Sequence, residues 1–259
     1  MQAGKIRFLR LCHEELSRVK VRDGIGLLAE KRLHGVLKRF ITEDEACHEV
    51  RVAGKGERPR RFVADVRLPT GEIFEIQTGS LFPMQKKIAF YMAETVAPVT
   101  VIHPLLAEKY ISELDAKTGE TVRRRKSPLK ELPLHGVAQL KPYLPYLTNG
   151  RFSLWLLSIS AEEFRFFDPR ARRGRGGTRR YEVIPTALLD TVKLCDKADY
   201  AALFPTDAAL DAPFVAKDFG KCTRLRGYDL YDALAVFEGL GIIEKCGKQG
   251  RAALYRKCN

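Results

Sequence analysis

Apolar and polar residues alternate with a period of two from Phe62 to Leu68 and again from Ile73 to Gln77, with Pro69-Thr70-Gly71 between them. That pattern predicts two strands joined by a tight turn. Proline presets φ and glycine supplies the left-handed position, so Leu68 pairs with Glu72 and Asp65 lies directly opposite Glu75. Helical periodicity brackets this hairpin. Before it, Ile6, Leu9, Leu16 and Val19 are loosely periodic in a helix over 5–20, and Leu28, Leu33, Val36, Leu37, Phe40 and Ile41 make one stripe on a helix over 26–41. A strand is expected over 48–52. After the hairpin, Met84, Ile88 and Tyr91 face inward on a helix over 83–92, and residues 99–105 read as a buried strand.

Farther along, residues 115–130 read as a polar turn followed by a basic loop, and 135–147 as a helix broken by Pro142 and Pro145. The apolar run 151–159 suits a strand buried on both faces, pairing with 164–169 as a hairpin. Residues 181–194 pattern as strand then helix. From Pro213 the design changes: a short helix, a turn, a second helix with Leu230, Leu234, Phe237 and Leu240 on one stripe, and a hairpin turning at 247–250. This is the order of a winged helix-turn-helix. The expected organisation is an α/β domain over 1–195, a connector over 196–212 and the winged helix over 213–259.

With 45 basic against 32 acidic side chains, the 259-residue chain has a formal net charge of +13. A surplus of this kind attracts a polyanion through counterion release. It is clustered. Arg124, Arg125 and Lys126 lie in one run, and residues 165–180 hold seven arginines, Arg172, Arg173, Arg175 and Arg179 among them, against one acid. The last 47 residues carry nine basic and five acidic side chains, with Arg224, Arg226, Lys245, Lys248 and Arg251 placed to meet a phosphate backbone, although Asp229 and Asp232 on the second helix would repel one. Six cysteines form no CxxC pair and no zinc spacing with the five histidines. No apolar run reaches the length of a membrane span and no signal core opens the chain. A reduced, cytoplasmic protein is expected.

Opposed carboxylates such as Asp65 and Glu75 repel unless a cation sits between them. Glu30 shares the side of its helix that carries Leu33 and Leu37, and Lys87 lies between Met84 and Tyr91 on the following helix. Helix, strand, hairpin, helix, strand, with a glutamate on the first helix, an aspartate on the second strand and Glu-x-Gln on the third, resembles the core of the PD-(D/E)xK restriction-endonuclease-like superfamily. The resemblance covers roughly residues 24–105. The motif EKRLHGVLK from Glu30, FEIQTG from Phe74, Thr118-Gly119-Glu120, RRKSP and GIIEKCGKQGRAALY also resemble a family of uncharacterised bacterial proteins along almost the whole chain, which supplies no activity.

The superfamily resemblance implies a restriction-endonuclease-like mixed sheet flanked by helices. It also implies an Mg²⁺- or Mn²⁺-dependent endonuclease, with Asp65, Glu75 and Glu30 as ligands, and Gln77 or Lys87 orienting the attacking water. Glutamine departs from the family's lysine, since an amide neither takes a proton nor offers charge. Lys87, or else Lys86, is the candidate for a lysine moved to the helix. The expected partner is double-stranded or branched DNA, with a homodimer left open and no membrane. Two alternatives stand beside it: an inactive nuclease-like protein that binds DNA or regulates, and a scaffold whose winged helix docks protein.

Overall fold

The computed structural model describes residues 2–17, 29–55, 61–115, 118–168 and 177–258. It is a mixed α/β fold in which a large mixed sheet is flanked by helices. Helices α1 (Gln2–Ser17) and α2 (Ala29–Ile41) precede strands β1 (His48–Ala53), β2 (Arg61–Arg67) and β3 (Ile73–Ile76). Helix α3 (Gln85–Glu94) then leads into β4 (Val99–Leu114), followed by β5 (Thr121–Lys126), α4 (Pro133–Ala138), β6 (Phe152–Asp168) and β7 (Gly177–Leu194). The strands run in the order β1-β2-β3-β4-β6-β7, with β5 paired to β4.

The hairpin forms in the expected register. Val66 pairs with Phe74 and Arg67 with Ile73, the Leu68 amide donates to the Glu72 carbonyl at 2.9 Å, and Gly71 takes a φ of +96°. Continued by one residue, this register sets Asp65 opposite Glu75. Strand β3 runs parallel to β4, with Glu75 beside Val101, and α3 makes the crossover.

The chain divides into two units, and β4, β6 and β7 each contribute one end to either. The first comprises Met1–His48, Pro104–Glu131 and Leu157–Thr191. In it Phe8 of α1 meets Phe40 of α2 edge to face at 5.5 Å, and the Arg7 guanidinium donates to the Arg39 carbonyl. The second comprises Glu49–His103, Leu132–Leu156 and Val192–Asn259, so it contains both the hairpin and the C-terminal segment. Its core gathers Ile73, Ile76, Ile88, Tyr91, Val99 and Val101. A Cβ on Gly136 would lie 2.5 Å from a Leu156 methyl, so glycine is what lets α4 lie this close to β6.

The C-terminal segment contains α5 (Lys197–Ala202), β8 (Phe214–Val215), α6 (Ala216–Thr223), α7 (Gly227–Gly239), β9 (Ile243–Gln249) and β10 (Ala252–Lys257). Its small sheet runs β8-β10-β9. Phe204, Phe214, Phe219 and Phe237 form its aromatic core.

Several expectations are corrected. The basic run 123–126 is a strand, β5, paired with β4 through Ile111–Arg125 and Ser112–Arg124. Residues 152–168 are one strand, with no hairpin inside them. Residues 181–194 hold no helix, because β7 continues to Leu194. In the first two cases polar residues within the strand look like a loop or turn until their ionic partners are known. Glu162 accepts from Arg124, and Glu163 from Lys109.

Candidate active site

Three elements of the second unit bring side chains together at Glu75. The Glu75 side chain points from β3 toward α3 and is 1% exposed. Lys87 and Tyr91, one helical turn apart on α3, both reach it. The Lys87 ammonium donates to Oε2 at 2.5 Å and the Tyr91 hydroxyl to Oε1 at 2.9 Å. From β2, Asp65 Oδ2 accepts the Ile76 amide at 2.7 Å. Backbone pairing between the two strands closes at Val66–Phe74, and beyond it a carboxylate takes the place of a backbone acceptor.

Burial, and after it the charge of Asp65, push the Glu75 carboxyl up to about 8, with Lys87 and Tyr91 offsetting part of the rise. Burial and the neighbouring Glu75 also push the Tyr91 hydroxyl up, so it stays a donor across neutral pH. The protonated form of Glu75 is thereby favoured, and a further positive charge would oppose this.

Behind these residues a polar network fixes the segment that links β3 to α3. The His103 ring, 5% exposed, donates from Nδ1 to the Gln77 carbonyl at 2.7 Å, and Gln139 Nε2 lies 3.3 Å from its Nε2. Gln139 Oε1 accepts the Leu81 amide at 2.8 Å, and the Tyr143 hydroxyl donates to the Leu81 carbonyl at 2.5 Å. Both ends of the turn into α3 are thereby held, which sets where Lys87 and Tyr91 point.

Of the residues singled out in the sequence, Asp65, Glu75 and Lys87 converge. The Gln77 amide is turned to the Ser80 carbonyl, to which it donates at 2.7 Å. Glu30 falls in the first turn of α2, and its side chain lies outside the described residues, as do Arg172, Arg173 and Arg175. Among the described residues no three His, Cys, Asp or Glu side chains gather so as to hold a metal ion. Asp65 and Glu75 supply two hard oxygen donors, and the carboxyl pushed up by burial and then by a like charge marks a place where a cation would be welcome. In chemistry, though not in ligand number, they fit Mg²⁺ or Mn²⁺. Tyr91, His103 and Gln139 were missed as site residues. Spacing alone signalled Tyr91, four residues after Lys87.

The basic residues fall into two groups. Arg124 makes a two-pronged pair with Glu162, at 2.8 and 3.0 Å, with its guanidinium over the Tyr110 ring, and Lys126 pairs with Glu108 at 3.0 Å. Arg125 is half-buried beside them on β5. Arg179 on β7 and Arg224, Arg226, Lys248 and Arg251 in the C-terminal segment are exposed.

No curated protein and no solved structure matches the chain. Residues 31–195, which include the hairpin, Lys87 and Tyr91, match a family described as a domain of unknown function, DUF8091, and the chain belongs to that family.

Proposed function

We propose that the chain is a metal-dependent phosphodiester hydrolase acting on DNA, with a restriction-endonuclease-like core and a C-terminal winged helix. One observation carries this: the ammonium of Lys87, from the helix after the Glu-x-Gln strand, lies 2.5 Å from Glu75, which supplies the charge that Gln77 lacks. The element order from α2 to β4 supports the core, with β3 antiparallel to β2 and parallel to β4. Two helices followed by a hairpin support the winged helix.

Asp65 and Glu75 would hold Mg²⁺ or Mn²⁺, which when bound lowers the pKa of a coordinated water and draws charge from the phosphate. Tyr91 holds the Glu75 carboxyl in place, and the Ile76 amide does the same for Asp65. Lys87 orients the attacking water or a phosphoryl oxygen by donating to it, while the Gln77 amide is engaged at Ser80. The exposed cations of the C-terminal segment draw in the polyanion. The test is incubation of the purified chain with linear, nicked and branched DNA and either cation. Cleavage is expected, and Asp65→Ala, Glu75→Ala and Lys87→Ala should abolish it. Equal cleavage by these variants would overturn the assignment.

A second reading has an observation of its own. Both oxygens of Glu75 are already met by protein donors, and only two carboxylates converge among the described residues, as in a core that has kept its fold and lost its chemistry. A DNA-binding or regulatory protein of that kind binds DNA in a salt-dependent way, cuts none, and gains no Tm with Mn²⁺.

A further inference from the structure

The turn between α6 and α7 opens into a cavity of about 570 Å³ lined by Lys217, Lys221, Arg224 and Arg226, with Leu225 and Leu230 as its apolar part. All four cations are exposed. Lys221 pairs with Asp218 at 3.3 Å, while among the described residues Arg224 and Arg226 make no ion pair. Arg224 closes α6 in the left-handed conformation, at φ +62°, a position where helices ordinarily place glycine.

Immediately beyond the cavity α7 carries two tyrosines that the core does not use. Tyr228 is 89% exposed and Tyr231 60% exposed, and their spacing of three puts them on one side of the helix. A large ring left in water beside four cations satisfies no packing demand in this chain. The pair has the composition of a platform for bases next to a groove for phosphates. A duplex fits this helix poorly. Asp229 stands in its first turn and Asp232, held by Lys141 at 2.7 Å, lies one turn on, so both would meet phosphates if α7 entered a groove. A single strand has its base faces open to the rings and needs no groove.

We propose that this surface binds single-stranded nucleic acid, with phosphates against Lys217, Lys221, Arg224 and Arg226 and bases stacked on Tyr228 and Tyr231. It rests on the nucleic-acid part of the function proposed above and is independent of cleavage.

Fluorescence anisotropy of the full chain, without divalent cation, against an oligothymidylate of about twenty nucleotides and a duplex of about the same length tests it. The single strand is expected to bind more tightly. Tyr228→Ala and Tyr231→Ala should each weaken it about fivefold or more, with the Phe variants close to wild type. Arg224→Ala with Arg226→Ala should lower the salt slope by about 1.4, at about 0.7 per phosphate contact. Wild-type affinity for the single strand that survives both Ala variants, or falls equally in the Phe variants, overturns this site and leaves the hydrolase standing. Failure of the wild type to bind any strand at low salt overturns both the site and the nucleic-acid reading beneath it, and points to a protein partner. Preserved strand binding with no DNA cleavage sinks the hydrolase alone.

Discussion

Two glutamates at the same depth behave in opposite ways. Glu163 on β6 is 2% exposed and Glu75 on β3 is 1% exposed, and each touches a lysine. Burial works against ionisation of Glu163, but Lys109 at 2.9 Å and Arg165 at 2.5 Å outweigh it and hold its carboxyl below the usual range. Glu75 has one cation, one neutral hydroxyl and a carboxylate facing it, and its carboxyl rises to about 8. Burial raises both; what differs is what opposes it, two cations at Glu163 against one at Glu75, where the Asp65 charge adds to the rise. Glu163 belongs to a closed ionic cluster, whereas Glu75 lacks one positive charge.

The largest expected effect comes from opening the closed cluster. Lys109→Met leaves the Glu163 charge with only the half-buried Arg165 and should destabilise the protein by about 3 to 5 kcal/mol, read from urea unfolding. Lys87→Met should cost much less at pH 7, about 1 kcal/mol, because burial and Asp65 already favour the neutral form of Glu75. Equal losses from the two substitutions would mean that the two glutamates are equivalent, and the comparison would fail.

The pH dependence is expected to run in opposite directions. The Glu163 carboxyl is lowered by folding, so its contribution is present above the unfolded value and is lost as pH falls. Glu75 is raised from 4.5 to about 8, so its contribution is complete below the unfolded value and is lost as pH rises through about 8. Urea midpoints for the wild type should therefore decline between pH 5 and pH 9 by the equivalent of a few kcal/mol at most, and Glu75→Gln should flatten that decline. A cation held by Glu75 must displace its proton, so the rise in Tm with Mn²⁺ should be larger at pH 9 than at pH 6. A rise equal at both pH values would place the ion elsewhere.

The parts legible in the sequence are those whose determinants are local. Pro69-Thr70-Gly71 sets the hairpin register within a few residues, and that register alone places Asp65 opposite Glu75. The inward face of α3 was equally readable from Met84, Ile88 and Tyr91, all of them buried. What escaped depends on partners distant in the chain. Strand β5 looks like a solvated basic loop because Glu108 and Glu162, which answer Lys126 and Arg124, lie 18 and 38 residues away. Glu162 and Glu163 read as a break in β6 for the same reason. The role of the Tyr91 hydroxyl is not legible because an inward tyrosine fills a core equally well without a carboxylate to meet.

The smallest effect on stability belongs to the change that turns Glu-x-Gln into Glu-x-Lys, the pattern of the proposed nuclease core. Gln77→Lys gives up the bond to the Ser80 carbonyl, half in solvent, and should cost about 0.5 to 1 kcal/mol. Its value lies in combination. Residues 75 and 77 project from one face of the strand, about 6.6 Å apart along it, within reach of a lysine side chain. If Lys87 acts through its charge at Glu75, Gln77→Lys in a Lys87→Ala background should recover a substantial part of the lost DNA cleavage and bring the pH dependence of stability back toward wild type. Recovery of the pH profile without cleavage would show that charge alone is not enough and that the donor must come from α3, on the side where Tyr91 holds the carboxyl. Recovery of neither, in a variant that keeps its Tm, would show that Glu75 is answered only from the helix, and the likeness to a Glu-x-Lys strand would then carry no weight.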